Sequence, residues 1–148
     1  MGNWPYLLLM VVGGVVLPLQ AGVNAQLATR TGDAIRAALV SFLVGAIALV
    51  ILSLIPLRPG PAPAALLQAP WWIWIGGLVG AMYVIFTIIS APRLGAATLV
   101  VAAVTGQAAA SIALDNFGWA GFTRHPVTAG RMAGMALLVV GLVLVRRF

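Results

Sequence analysis

The sequence predicts an all-α protein, a polytopic transmembrane helix bundle with five spanning helices, and three observations predict it. Of 148 residues, 63% are hydrophobic and 7% are charged, where soluble domains carry about 25% charged residues. A soluble domain of this length must turn most residues to water and cannot hide so much apolar surface. The apolar residues also fall in five long runs, without the alternation that membrane β-strands of about ten residues require. In hydrocarbon a spanning segment has to satisfy its own backbone hydrogen bonds, which a long apolar run does as a helix.

The first run covers about 4–28. No basic segment precedes it, its apolar part is long for a signal peptide, and Gln20, Asn24 and Gln26 fit poorly with cleavage near Ala25; it reads as a retained helix. Tyr6 stands where a myristoylation signal wants Ser or Thr. Arg30-Thr31-Gly32-Asp33 supplies a turn, with Asp33 as N-cap of a second helix over about 34–57. Arg58-Pro59-Gly60-Pro61-Ala62-Pro63 forbids helix and reads as the longest loop. The third helix, about 71–91, opens with Trp71, Trp72 and Trp74, which belong at the membrane–water interface. Pro92-Arg93-Leu94-Gly95 is a tight break before a fourth helix over about 96–114. Asp115-Asn116-Phe117-Gly118 ends that helix, and a short interfacial loop to Pro126 leads to a fifth, about 127–145. Runs of about 19 to 25 residues match the roughly twenty needed to cross ~30 Å of hydrocarbon. The chain, 1–148, reads as a single transmembrane domain.

The net charge of +6 comes from eight basic residues, all arginine, against two aspartates. The arginines are scattered one or two per loop with no basic face, so they read as loop anchors and not as a nucleic-acid surface. Five spans put Arg58, Arg124 and Arg131 on the N-terminal side and Arg30, Arg36, Arg93, Arg146 and Arg147 on the other. This small bias favours a cytoplasmic C-terminus. It also leaves open a mixture of orientations, in which two copies pair antiparallel and generate inverted-repeat symmetry. The absence of cysteine excludes disulfides and thiol chemistry. His125 has no second histidine or carboxylate cluster nearby in sequence, and no nucleophile–base set, phosphate loop or carboxylate pair is present. No metal, cofactor or enzymatic activity is expected.

Small residues recur every fourth position in several helices: Ser41 and Gly45, Gly76 and Gly80, Ala102, Gly106 and Ala110, Gly130 and Gly134. Such faces let helix backbones approach closely, either as ordinary packing or as a sliding interface. Polar residues inside the runs are more informative, because each needs a partner in hydrocarbon. Gln20 and Asn24 share one face of the first helix, and Pro18 before them frees a backbone carbonyl. Gln107, Ser111 and Asp115 step by four along the fourth helix, with Thr98 and Thr105 on another side. These residues either line a polar solute site between the first and fourth helices or bond one another as interhelical glue. Asp115, at a helix end, either binds a cation or carries a coupling proton, or forms an interfacial ion pair with Arg124 or Arg131, Arg131 being the favoured partner, or caps the following turn. Tyr83, nearer mid-membrane than the tryptophans, is the aromatic residue placed to meet a solute.

Taken in order, Gln20-Ala21-Gly22-Val23-Asn24-Ala25-Gln26-Leu27, Ser41-Phe42 with Gly45, Gly76-Gly77, Gly80-Ala81, Pro92-Arg93-Leu94-Gly95, Gly106-Gln107, Asp115-Asn116-Phe117-Gly118 and Arg131 with Gly134 resemble the YdcZ-type family of the drug/metabolite transporter superfamily. The resemblance covers nearly the whole chain. Two positions depart from it: Asn116 stands where a histidine is expected after the aspartate, and Asp33-Ala34 where a proline is common. The first departure leaves no Asp-His pair. The resemblance implies a small transporter of the bacterial inner membrane, an exporter of a small organic solute. It would act by alternating access as a homodimer or paired complex, five spans being half of a ten-helix assembly. The first helix lacks the central glutamate of small multidrug exporters, so their proton-antiport mechanism does not carry over.

The substrate-binding candidates are therefore Gln20, Asn24, Gln107, Ser111 and Tyr83, with Asp115 and Arg131 as coupling or gate groups. The rival reading is a non-transporting membrane subunit that stabilises or regulates a larger complex, in which the amides serve only as glue; a channel is a third.

Overall fold

The computed structural model describes residues 4–55 and 68–148. Their secondary structure is helical, in four long stretches: α1 (Trp4–Thr31), α2 (Ala34–Ser53), α3 (Ile75–Phe117) and α4 (Ala129–Arg147), with short 3₁₀ turns at Trp71–Trp74 and Trp119–Gly121. No strand occurs among the described residues. All four stretches are long and apolar enough to cross a membrane. The proline-rich loop expected over 58–63 lies outside the described residues, and the second helix, expected to reach about 57, ends at Ser53, where the Leu54 N–H closes its last turn on the Val50 and Ile51 carbonyls.

α3 joins the third and fourth expected helices. Its 43 residues are two helices meeting at a kink at Gly95, whose backbone (φ 70°, ψ 168°) is not helical. The expected break at Pro92-Arg93-Leu94-Gly95 narrows to this one residue, since Pro92 is accommodated inside the helical stretch. The conformation of Gly95 is one that essentially only glycine adopts.

The chain divides into two compact units, residues up to Pro92 and residues from Arg93 onward. In the first unit, α1 and α2 are linked by Gly32 and Asp33 alone. Gly32 takes a positive φ of 88° and its N–H returns to the Ala28 carbonyl at 3.0 Å, the usual way a glycine ends a helix. Asp33 then caps α2 as expected: Oδ1 accepts from the Ile35 and Arg36 N–H groups at 2.7 and 2.9 Å, and Oδ2 pairs with Arg36 Nε at 3.1 Å. So short a link makes α1 and α2 antiparallel neighbours.

The core of this unit is Ala37 and Ala38 of α2 against Val84 and Ile88 of α3, with Leu27, Ala28, Ala34 and Ile85 around them. Close packing therefore falls on two alanines, small enough to let helices approach. It does not fall on most of the stripes expected from sequence. A Cβ built at Gly45, Gly76, Gly106, Gly130 or Gly134 meets nothing within 4 Å; only Gly80 has a neighbour, Phe42 Cζ at 4.0 Å. In the second unit, α4 has no buried residue. A water-soluble protein could not keep such faces, but lipid solvates them directly.

Gly95 yields a direct test. Replacing it with Ala meets no clash, so the loss is backbone strain, about 1–3 kcal/mol. Gly13→Ala, also in open space but within regular helix, should instead gain about 0.5–1 kcal/mol. Thermal unfolding in detergent micelles measures both.

Candidate functional site

In this solvent the hydroxyl side chains and the amides behave differently. A Ser or Thr hydroxyl within a helix can satisfy its own proton by bonding a carbonyl three or four residues back. Ser53, Thr87 and Thr105 do so, donating to Val50, Val84 and Val101 at 2.7, 2.8 and 2.7 Å. An amide carries two donors and an acceptor and cannot be closed off so cheaply.

Asn24 shows the consequence. It is only 4% exposed, and its Nδ2 has no hydrogen-bond partner. An unmet buried donor costs about 1–3 kcal/mol. One turn earlier on the same face, Gln20 is exposed and lines a groove of about 270 Å³ with Ser41, Phe42, Gly45, Ala46 and Leu49 of α2. The first unit thus brings Gln20 and Asn24 together on α1 and sets Ser41, read from sequence only as packing, opposite Gln20. Phe42 also lines a second groove, apolar and about 330 Å³, with Ile35, Ala38, Leu39, Ala81 and Ile85. Tyr83 is half-buried beside Val84 and lines neither groove.

The second unit holds the other candidates. Gln107 and Ser111 are both exposed. Thr105 is 9% exposed and already bonded to its own helix, so it has no proton to offer a solute. Asp115 Oδ2 pairs with Arg131 Nη1 at 3.1 Å, the partner favoured from sequence. Both side chains are about one-third exposed.

Around that pair the 118–128 loop is tied back by groups the sequence reading passed over. The His125 N–H donates to the Asp115 carbonyl at 2.8 Å, and Arg131 Nη1 donates to the His125 carbonyl at 3.3 Å. The Val127 N–H donates to Asn116 Oδ1 at 3.3 Å, and Arg124 Nε to the Asn116 carbonyl at 3.0 Å. Thr128 caps α4 by accepting from the Arg131 N–H at 3.3 Å. Gly118 (φ 67°) and Gly121 (φ 84°) turn the chain, and Ala120 is held at a positive φ of 54° between them, which costs an alanine about 1–2 kcal/mol. Phe117 stacks on Trp119 at 4.8 Å. The available signal was Asp-Asn-Phe-Gly itself: a short amide before a glycine is a turn-forming pattern.

The ion pair can be weighed by a double-mutant cycle. Asp115→Asn and Arg131→Gln should each lower stability, and the double variant should lose less than the sum, with a coupling of about 1 kcal/mol. Thermal unfolding in micelles reads this; strictly additive losses would show that the pair contributes nothing.

The family model described as "Putative inner membrane exporter, YdcZ" matches residues 5–144. The "Inner membrane protein YdcZ" of Escherichia coli (strain K12) is 30% identical over 140 residues, covering 93% of this chain and 92% of that protein. No solved structure matches. The family is one of membrane exporters and not of enzymes. With its long apolar helices and a match along nearly its whole length, the chain belongs to the YdcZ family of inner-membrane exporters and is a multi-pass protein of that membrane.

Proposed function

We propose that this chain is a five-span half of an exporter for a small organic solute, a single membrane domain that pairs with a second copy and works by alternating access. Gln20, Asn24, Gln107, Ser111 and Tyr83 contribute to the solute path, and the Asp115–Arg131 pair acts as gate or coupling group.

The observation that carries this reading is Asn24. A buried amide with an unmet donor inside a hydrophobic span is expensive, and its retention is accounted for if a passing solute or the partner copy completes the bond. The five-span count is supported by length. At 1.5 Å per residue, the 43 residues of α3 would extend roughly 64 Å, about twice the hydrocarbon thickness. The kink at Gly95 divides it into 75–94 and 96–117, each of spanning length. Pairing is supported by the glycine faces at Gly45, Gly76, Gly106, Gly130 and Gly134, open within the chain and suited to close helix contact in lipid. Two copies would make ten helices, and antiparallel pairing would place inverted repeats about one site. The distribution of arginines favours a cytoplasmic C-terminus.

Proteoliposomes containing only this protein test the proposal across organic cations, anions and neutral metabolites. The wild type should give a saturable flux. Asn24→Ala and Gln107→Ala should each lower it about tenfold, the worth of one hydrogen bond of about 1.4 kcal/mol, with unchanged helicity. Full transport by both folded variants would remove these residues from the path. A silent, folded wild type would point to a non-transporting subunit.

A further inference from the structure

The second unit carries a groove unrelated to the amides. It measures about 330 Å³ and is lined by Leu94, Thr98 and Ala102 of α3 and by Leu142, Val143 and Arg146 of α4. Four of these side chains are apolar, one is a hydroxyl and one is a guanidinium in the last turn of α4. Arg147 follows Arg146 in the chain and Arg93 precedes Leu94, so three exposed arginines belong to the end of the unit where the groove lies.

Among the described residues no ion pair reaches them. The sequence has only two acidic side chains, and each lies 3.1 Å from another arginine: Asp33 from Arg36 and Asp115 from Arg131. The charge partner for the groove's arginine must come from outside. At the end of membrane-spanning helices the available anion is a lipid phosphate.

We propose that this groove is a binding site for one anionic phospholipid, with an acyl chain along Leu94, Ala102, Leu142 and Val143 and the phosphate on Arg146. Arg93 and Arg147 add to the positive field around it. An acyl chain gains little by leaving its neighbours for an apolar groove, because lipid tails are as apolar as leucine. The groove therefore supplies fit, and the arginines supply selectivity. A guanidinium fork matches two phosphate oxygens at once, and a basic residue near the surface adds about fivefold in affinity for anionic lipid. The simpler alternative is that these arginines complement the C-terminal end of the α4 dipole and anchor the loop generally. That alternative gives a preference for anionic lipid that ignores the groove's shape. The proposed role does not depend on the transport reading.

Native mass spectrometry of the purified full chain, titrated with phosphatidylglycerol or phosphatidylcholine of equal chain length, decides between them. The wild type should retain phosphatidylglycerol about tenfold better. Arg146→Gln should lower that preference about fivefold. Ala102→Phe, which fills the groove and leaves every arginine in place, should reduce it comparably; Val143→Phe serves the same purpose from α4 if the first variant does not fold. Arg30→Gln, at the end of α1, should leave it unchanged. No preference in the wild type would overturn the proposal, as would full preference in the folded groove-filling variants. Displacement of the lipid by glycerol 3-phosphate alone would overturn it too, by revealing a site for free phosphate.

Discussion

Hydrocarbon offers no hydrogen bonds, and the organisation of this chain follows from that constraint. Backbone groups are closed within helices, and the polar side chains separate by how far they can satisfy themselves. Hydroxyls can return their protons to their own helix, as Ser53, Thr87 and Thr105 do. Amides cannot, so Asn24 is left with an unmet donor and Gln20 lies open to a groove. What would be a minor packing fault in water becomes, in lipid, the feature from which a solute path is inferred.

Charge obeys the same rule. With two aspartates and eight arginines, the chain places each carboxylate at a helix end and commits it to a nearby arginine. Asp33 caps α2 and holds Arg36. Asp115, at the end of α3, holds Arg131, and through the Asp115 and His125 carbonyls the same pair fixes the returning loop. The other arginines among the described residues form no ion pair and are suited to water and phosphate at the interface.

Much of this was legible in the sequence because it is local. The Gly32–Asp33 turn and the Asp33 cap follow from residue chemistry and short spacing, and the Asp115–Arg131 pair from the scarcity of carboxylates, with one short loop bringing the two helix ends together. The break before residue 96 was legible only in part: Pro92 suggests a stop, yet a proline can sit in a helix at the cost of one donor, whereas Gly95 adopts a backbone that closes the helix outright. The packing faces were the least legible. Small residues at spacing four mark where helices can approach, not where they do, and among the described residues the buried alanines are Ala21, Ala37 and Ala38. The ties on the 118–128 loop were missed because backbone acceptors leave no sequence pattern, and Asp-Asn-Phe-Gly signals a turn without naming what Asn116 bonds. The family was legible too, because many weak motifs fall in one order along nearly the whole chain.

The central structural claim of the transport account is that α3 crosses the bilayer twice. The chain has no cysteine, so single cysteines report cleanly. Gln68→Cys, Arg93→Cys and Thr123→Cys would each be exposed to a membrane-impermeant maleimide in sealed vesicles of both orientations. Two crossings predict that Arg93→Cys reacts readily, and from the face opposite to the other two. An unreactive Arg93→Cys, with Gln68→Cys and Thr123→Cys labelled from opposite faces, would mean a single crossing and would contradict the five-span half-transporter.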